Sequence, residues 1–156
     1  TFYNFDDYHR FHAPVAGKII DTYVVANANA VGGITTYDPN RNQYVLESNF
    51  AGWQAYETRG CVMIETKKYG LVAVQAVGQG QVSSVHFSEG IKPGAEIQKG
   101  TELGYFLFGG SDCVMLFSKK AGFRITAPKA SVDDTYANGY AKLQCRSEYG
   151  RFSALN

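Results

Sequence analysis

The sequence is built from short apolar runs, most of which are separated by glycine or proline. Many of these runs alternate between apolar and polar residues or contain β-branched residues, which is typical of β-strands rather than of long helices. The 17 Gly, 11 Tyr and 10 Phe combine turn formers with strand formers. The predicted fold is therefore mainly β, with short helical turns. The predicted strands span residues 17–26, 60–66, 71–77, 81–85, 103–108, 113–117 and 123–126.

Length and charge narrow the classes of protein to which this chain can belong. Its 156 residues suit a single domain, spanning residues 1–156, whose core buries roughly two thirds of the unfolded surface. The 15 Lys and Arg nearly balance the 14 Asp and Glu, so the net charge is only +1 and neither sign forms a long block. Because phosphate binding requires a concentrated basic patch, nucleic acid is not expected as a partner. No apolar run reaches the roughly 18 residues of a membrane helix.

The cysteines and the first residue bear on location and completeness. Cys61, Cys113 and Cys145 are odd in number and widely spaced, so they form neither a disulfide framework nor a CxxC metal site. A reducing compartment, and with it a cytoplasmic location, is the expectation. The chain begins at Thr1 rather than Met, and a dense motif follows within a few residues. We therefore expect that an upstream segment of the protein is missing from this sequence.

Two segments indicate how the strands are arranged. The segment HAPVAG at residues 12–17 leads into a predicted strand, and in residues 90–103 glycines mark tight turns between small apolar residues. Both segments resemble patterns of barrel-sandwich hybrids, the β architecture of lipoyl and biotinyl domains. A carrier domain of that kind would need a lysine in an MKM or DKA triplet, which the sequence lacks. Residues 27–42, with little apolar periodicity, are predicted to form a loop, which is either a mobile loop near a binding site or a passive surface loop.

The segment with the clearest chemistry is Gly109-Gly110-Ser111-Asp112, which lies between two apolar strands. Glycine before the serine lets the backbone take unusual dihedral angles and lets the hydroxyl approach the preceding carbonyl. Ser111 could then attack the carbonyl of Gly110. Elimination from the resulting ester would cleave the chain and leave dehydroalanine, which hydrolyses to a pyruvoyl group. A Gly-Gly-Ser triplet is also common in ordinary turns, so the triplet alone leaves both interpretations open.

Two histidines three residues apart, His9 and His12, could supply an acid and a base near neutral pH. On a flat strand, positions i and i+3 point to opposite faces, so both imidazoles reach one site only if the segment bends or makes a helical turn. The alternative is that they are unrelated surface or capping residues. A metal site would need further ligands that the sequence does not offer, and no metal is predicted. The third histidine, His86, is predicted to be structural.

Three motifs occur in order along the chain and together resemble one known family. They are DYHRFHAPVAG at residues 7–17, VGQGQVSSV at 77–85 and KGTELGYFLFGGSDCVMLF at 99–117. These segments are similar to the DYHRxHxPxxG, VGxxxVGSI and KGxExGxFxxGST blocks of the phosphatidylserine decarboxylases, a family of self-processing, pyruvoyl-dependent decarboxylases. Glu102 and Gly104 also match, and the simplest roles for them are an exposed charge and a turn.

The resemblance implies a role for each matching residue. Ser111 would be cleaved from Gly110 and become the cofactor, a pyruvoyl group (bound pyruvate) that forms a Schiff base with the substrate amine and accepts electrons as carbon dioxide leaves. His12 would be the base for self-cleavage, and His9 would position the substrate or protonate the carbanion. The family also uses an upstream Asp that no residue of this chain matches. Asp112, where the family has Thr, could act as a local base or repel a substrate carboxylate.

The resemblance leaves three hypotheses for the function. The Gly-Gly-Ser form is similar to the soluble fungal branch that decarboxylates free aromatic amino acids such as tryptophan, and the apolar residues alternate within strands rather than forming an amphipathic membrane-binding element. A free aromatic L-amino acid is therefore the expected substrate. The alternatives are a phospholipid headgroup, with phosphatidylethanolamine as product, and a processing-dead relative with a binding role. The expected partners are the small-molecule substrate and the zymogen's own cleaved N-terminal and C-terminal pieces, with a homo-oligomer left open.

Overall fold

The computed structural model describes residues 2–3, 7–26, 34–40, 42–47, 52–79, 82, 84–107, 109–128 and 143–153. Over these residues the chain is mainly β, which confirms the predicted fold class. The strands are β1 (Phe2–Tyr3), β2 (Arg10–His12), β3 (Gly17–Val25), β4 (Ile34–Asp38), β5 (Gln43–Glu47), β6 (Arg59–Thr66), β7 (Gly70–Gly78), β8 (Val85–Phe87), β9 (Glu96–Ile97), β10 (Glu102–Phe106), β11 (Ser111–Phe117), β12 (Arg124–Ile125) and β13 (Gly150–Arg151). Short 3₁₀ helices cover Trp53–Ala55 and Lys119–Ala121. None of the helices in the described ranges is long and apolar enough to cross a membrane.

The six-stranded sheet has the order β1-β11-β7-β6-β3-β9, with antiparallel neighbours, and it curls into a half-barrel. Its centre is the β6–β7 hairpin, which pairs from Arg59 opposite Val77 to Thr66 opposite Gly70. The Thr66 hydroxyl closes this hairpin, because it donates to the Gly70 carbonyl oxygen at 2.8 Å and accepts from the Tyr69 amide at 2.8 Å. β11 pairs with the other edge of β7.

The three-stranded sheet, in the order β2-β10-β8, shares one apolar core with the half-barrel. Alternating side chains from both sheets meet in this core, as expected for strands that bury one face. The residues that contribute most to it, all fully buried, are Phe11, Ile19, Val62, Ile64, Val72, Val74 and Leu103. The two remaining strand pairs, β4 with β5 and β12 with β13, form separate two-stranded ribbons.

Gly104 lies inside β10 rather than at a turn, so the turn role predicted for it is wrong. A Cβ at this position would lie 2.1 Å from the carbonyl oxygen of His86 and 2.5 Å from the ring of Phe11. Glycine is needed here because β8 and the Phe11 ring approach the backbone of β10 too closely for any side chain. The close approach keeps β2, β10 and β8 together on one side of the core.

The predicted strands agree with the observed ones to within one or two residues at their ends, except for residues 81–85. That prediction is wrong, because Val82 lies outside the strands and β8 begins only at Val85. The Val82 amide donates to the carbonyl oxygen of Gln79 at 3.0 Å. A Cβ on Gly78 would lie 1.8 Å from the carbonyl oxygen of Val82, so the glycine permits this close approach. Residues 81 and 83 lie outside the described ranges.

The loop predicted for residues 27–42 is also wrong in part, because Ile34–Asp38 form β4. This strand pairs with β5, and Tyr37 and Asn42 fasten the connection through a hydrogen bond of 2.6 Å between the tyrosine hydroxyl and Asn42 Oδ1. The Asp38 carboxylate accepts from the backbone amide of Asn40 at 2.9 Å, an arrangement that favours a turn. Residues 27–33 and 41 lie outside the described ranges.

Candidate active site

Ser111 is fully buried at the start of β11, where a turn enters the six-stranded sheet. It lies opposite Gly78 of β7 and opposite Tyr3 of β1. Gly110, the residue before it, has a φ of +90°, which residues with a side chain rarely adopt. The bond for which the sequence predicts cleavage therefore joins a glycine in an unusual conformation to a serine that is shielded from solvent.

His9 is the histidine that contacts the serine. Its Nδ1 atom lies 2.9 Å from Ser111 Oγ, although the two residues are 102 positions apart in the chain. The backbone holds His9 in place, because its carbonyl oxygen accepts from the Phe106 amide at 3.0 Å and so continues the pairing of β2 with β10. The rings of Phe106 and Tyr3 flank the imidazole edge-on, with centroids at 6.4 and 5.9 Å. Three strands thus position one imidazole against one hydroxyl.

The surroundings of this pair favour neutral side chains. Burial raises the pKa of Tyr3 far above its ordinary value, and the neighbouring Cys113 adds to the shift. Burial also raises the pKa of the Cys113 thiol to about 11. Both groups therefore stay protonated near neutral pH and do not compete with Ser111 as nucleophiles. The hydroxyl and the imidazole are the groups at this position that suit acid–base chemistry.

The His12 side chain contacts Tyr8. The two rings stack with centroids 5.7 Å apart, and the Tyr8 hydroxyl lies 3.4 Å from His12 Nε2. β2 covers Arg10–His12, so His12 is the last residue of the strand, whereas His9 lies just before it. Partial burial lowers the pKa of His12; Glu102 opposes the shift, whereas Arg146 and Arg10 reinforce it. The role of His12 as the base for self-cleavage stays a prediction.

Glu102 is not an isolated exposed charge, because it connects two strands beside the site. Its carboxylate forms an ion pair with Arg10 of β2 and accepts from the Ser88 hydroxyl at 2.9 Å. The Ser88 hydrogen bond lowers the pKa of Glu102, and Arg10 lowers it further. Since Arg10 follows His9 directly, this contact stabilises the segment that presents His9 to Ser111.

Asp112 is buried and held by hydrogen bonds of its own. Its Oδ2 accepts from Gln54 Nε2 at 3.1 Å, and its Oδ1 accepts from the backbone amide of Cys113 at 2.7 Å. Successive side chains of a strand point to opposite faces, so Asp112 lies on the face of β11 away from Ser111. This position suits a binding group better than a base for the serine.

A cleft of about 390 Å³ runs along β11 from Asp112 toward the end of the strand. The Phe117 and Phe123 rings stack within it, with centroids 3.9 Å apart, and Tyr149 lies beside Phe123 at 6.5 Å. The cleft therefore combines a buried carboxylate with an aromatic wall. Its lining residues are Gln54, Asp112, Cys113, Val114, Met115, Phe117, Phe123, Ile125 and Tyr149.

His86, the third histidine, lies on β8 and packs against the neighbouring strand β10. The His86 ring stacks on Tyr105 of the neighbouring strand, with centroids 5.2 Å apart, which fits the structural role predicted for it. Among the residues that the structure describes, no group of three or more His, Cys, Asp or Glu is arranged to hold a metal ion.

Comparison with known proteins places this chain in a family. The family model for phosphatidylserine decarboxylase matches residues 1–139. The chain belongs to the phosphatidylserine decarboxylase family. Phosphatidylserine decarboxylase proenzymes are pyruvoyl-dependent, which confirms the predicted cofactor for the family. The assignment of Ser111 as the residue from which that group forms stays a prediction.

The relatives of this phosphatidylserine decarboxylase family member include bacterial and fungal proteins. A phosphatidylserine decarboxylase proenzyme from Fusobacterium nucleatum is 27% identical over 144 residues, which cover 92% of this chain and 43% of the relative. A phosphatidylserine decarboxylase proenzyme 2 from Komagataella phaffii is 36% identical over 114 residues, covering 73% of this chain and 10% of the relative. Decarboxylase iboD from Amanita muscaria is 35% identical over 125 residues, covering 74% and 35%. The chain thus spans less than half the length of each of these relatives, and no solved structure matches it.

The motifs singled out Ser111 and His9, which the structure brings into contact, but they did not predict the surroundings of this pair. Ser111 and His9 stand in motifs, whereas Tyr3 reaches the site through the pairing of β1 with β11, and Gln54 reaches Asp112 through a side-chain hydrogen bond. Phe106 lies in the motif at residues 99–117, and its alternation with Gly104 is the signal that could have placed its ring in the core.

Proposed function

We propose that this chain is the catalytic part of a pyruvoyl-dependent decarboxylase, which cleaves itself between Gly110 and Ser111 and then removes the α-carboxylate of an amino acid. The proposal depends on the contact of 2.9 Å between His9 Nδ1 and Ser111 Oγ. Ser111 directly follows Gly110, whose φ is +90°. An internal acyl shift needs a base in contact with a hydroxyl beside a backbone that can bend toward it.

Self-cleavage would begin at the hydroxyl of Ser111. Its Oγ attacks the Gly110 carbonyl carbon, and the bond from that carbon to the Ser111 nitrogen breaks while the nitrogen takes up the hydroxyl proton. A base then removes the α-proton of residue 111, the Cβ–Oγ bond breaks, and Gly110 leaves as a carboxylate. One water enters at the resulting dehydroalanine and one ammonia departs, which leaves the pyruvoyl group. The contact of His9 with Ser111 Oγ supports a role for His9 in the transfer of the hydroxyl proton. This role is additional to that of His12, which is predicted to be the base for self-cleavage.

The surroundings of Ser111 fit a small neutral group such as pyruvoyl. His9, Tyr3 and Phe106 would enclose it at the start of β11, where burial favours uncharged groups. The group supplies a carbonyl that accepts the electron pair left by departing carbon dioxide. His9 would hold the proton that replaces the carboxylate, since its imidazole is the one in contact with residue 111.

We further propose a free aromatic L-amino acid, such as tryptophan, as the substrate. The cleft that starts at Asp112 supports this choice, because its stacked Phe117 and Phe123 rings offer a flat apolar wall. The Asp112 carboxylate could accept from a ring N–H or another donor on the substrate side chain. One relative, decarboxylase iboD, has a name that specifies decarboxylation without naming a phospholipid.

Phosphatidylserine, with phosphatidylethanolamine as product, is the second candidate. It is favoured by the names of the matching relatives from Fusobacterium nucleatum and Komagataella phaffii. Both candidates use the same α-amino carboxylate, so the proposed self-cleavage is common to them. They differ only in what the rest of the site must bind.

One experiment tests both the pyruvoyl-dependent mechanism and the substrate. The processed full-length protein is incubated with free L-tryptophan and, separately, with phosphatidylserine in vesicles. Carbon dioxide should be released from tryptophan without added pyridoxal phosphate, and phenylhydrazine or borohydride should block the release. Ser111→Ala, which cannot form the group, is the control and should be inactive. Turnover of phosphatidylserine with no free amino acid accepted would overturn the substrate while leaving the mechanism intact.

A further inference from the structure

Gln79 lies between two strand segments at the end of the six-stranded sheet, next to the bond proposed to break. Ser111 stands opposite Gly78, and the Gly78 amide donates to the Thr58 carbonyl oxygen at 2.9 Å. Antiparallel pairing continued by one residue places Gln79 beside Gly110 on one side and beside Glu57 on the other. Gln79 therefore lies beside Gly110, the residue whose carbonyl belongs to the bond proposed to break.

The side chain of Gln79 is buried and reaches Gly110. It is 4% exposed, and Glu57 beside it is fully buried. A Cβ built on Gly110 would meet Gln79 Oε1 at 3.9 Å, and that oxygen is the nearest atom it meets among the described residues. Rotation of the terminal amide exchanges Oε1 with Nε2, so the side chain can present either an acceptor or a donor to the Gly110 peptide.

We propose that the Gln79 amide stabilises the oxyanion formed at Gly110 during self-cleavage. When Ser111 Oγ attacks, the Gly110 carbonyl oxygen gains negative charge, and a buried N–H donor at that oxygen lowers the barrier. A neutral amide serves this purpose without the cost of burying a second charge near Glu57. The inference rests on the proposed self-cleavage and adds a residue that no motif identified.

The test is the rate of self-cleavage in the full-length precursor carrying Gln79→Met. Methionine keeps the length and bulk of the side chain but removes the donor, so cleavage should slow by about 10²- to 10³-fold, the usual effect of losing one oxyanion donor. Gln75→Met is the matched control, because Gln75 lies on β7, opposite Val114 and four residues before Gln79. It should cleave at the wild-type rate.

Hydroxylamine identifies the step that Gln79 assists, since it cleaves an ester between Gly110 and the Ser111 oxygen but leaves the peptide bond intact. If Gln79 acts on the acyl shift, Gln79→Met accumulates no ester and hydroxylamine yields no fragments. Ester accumulation, or cleavage at the wild-type rate, would overturn the assignment. An uncleaved wild-type precursor would instead remove the proposed function and this inference together.

A second variant and a melting curve separate catalysis from folding. Gln79→Asn keeps an amide but withdraws it by one methylene, so it should also cleave slowly while melting near the wild-type temperature. If both variants lose cleavage only together with the melting transition, Gln79 is structural and the proposal is wrong.

Discussion

The contact between His9 and Ser111 is the smallest unit on which the proposed chemistry depends. We predict that His9→Ala slows self-cleavage by about 10²-fold or more, because a positioned general base contributes roughly 10² to 10⁴ in rate. Fragment formation followed by gel and mass spectrometry measures this effect. His12→Ala is measured in parallel. From the family resemblance, this variant is predicted to remain uncleaved. Cleavage of His9→Ala at the wild-type rate would confine His9 to the later decarboxylation.

His12 should also give the protein a pH-dependent stability. Its pKa is lowered in the folded chain by burial, so the unfolded chain binds the proton more readily. The free energy of unfolding should therefore fall as the pH drops below about 6.5, the ordinary pKa of histidine. The lowered pKa of Glu102 also contributes to the free energy of unfolding. That contribution is lost only below about pH 4.5, outside the range in which His12 is expected to titrate.

Thermal melting between about pH 7.5 and pH 5.5 tests this coupling to His12. His12→Gln should show a smaller loss of melting temperature over this range than the wild-type protein. Lys18→Gln, which changes an exposed charge on β3, is the control and should follow the wild-type slope. An unchanged slope in His12→Gln would show that the histidine titrates alike in the folded and unfolded chains.

Among the elements, β10 connects the core to the site, and Gly104 is its most restrictive residue. We predict that Gly104→Ala lowers the free energy of unfolding by about 1–3 kcal/mol, as overpacking does, and slows self-cleavage because β10 positions His9 through Phe106. Gly94→Ala is the comparison: its φ is +93°, but a Cβ there meets nothing within 4 Å. It should destabilise the chain without slowing cleavage. Equal cleavage defects in the two variants would argue against positioning by β10.

The elements also show how far the sequence could be interpreted. Apolar alternation predicted β3, β6, β7 and β11 because each buries one face on a common core. It could not predict β2 or β9, which contain three and two residues and exist through pairing with distant strands. The same limit applies to the site: the motifs identified Ser111 and both histidines, but only the pairing of β2 with β10 decides which imidazole reaches the hydroxyl.

For the molecule as a whole, β11 takes part in both the site and the cleft. Ser111 at its start contacts His9, and later residues of the strand, among them Asp112 and Phe117, line the cleft. We predict that Phe123→Leu raises the KM for tryptophan by about tenfold, roughly the loss of one aromatic contact, while self-cleavage stays at the wild-type rate. Steady-state carbon dioxide release and fragment analysis measure the two effects. An unchanged KM would show that the cleft does not bind the substrate side chain.

Conversion of Ser111 into the cofactor can be tested by an intact mass measurement of the full-length precursor after prolonged incubation. Self-cleavage predicts a C-terminal fragment that begins at residue 111 and is lighter by one ammonia than the same fragment with an N-terminal serine. Phenylhydrazine should add to that fragment, and Ser111→Ala should give only the uncleaved chain. An unbroken precursor that retains the bond between Gly110 and an unmodified Ser111 would contradict the claim and favour a processing-dead protein with a binding role.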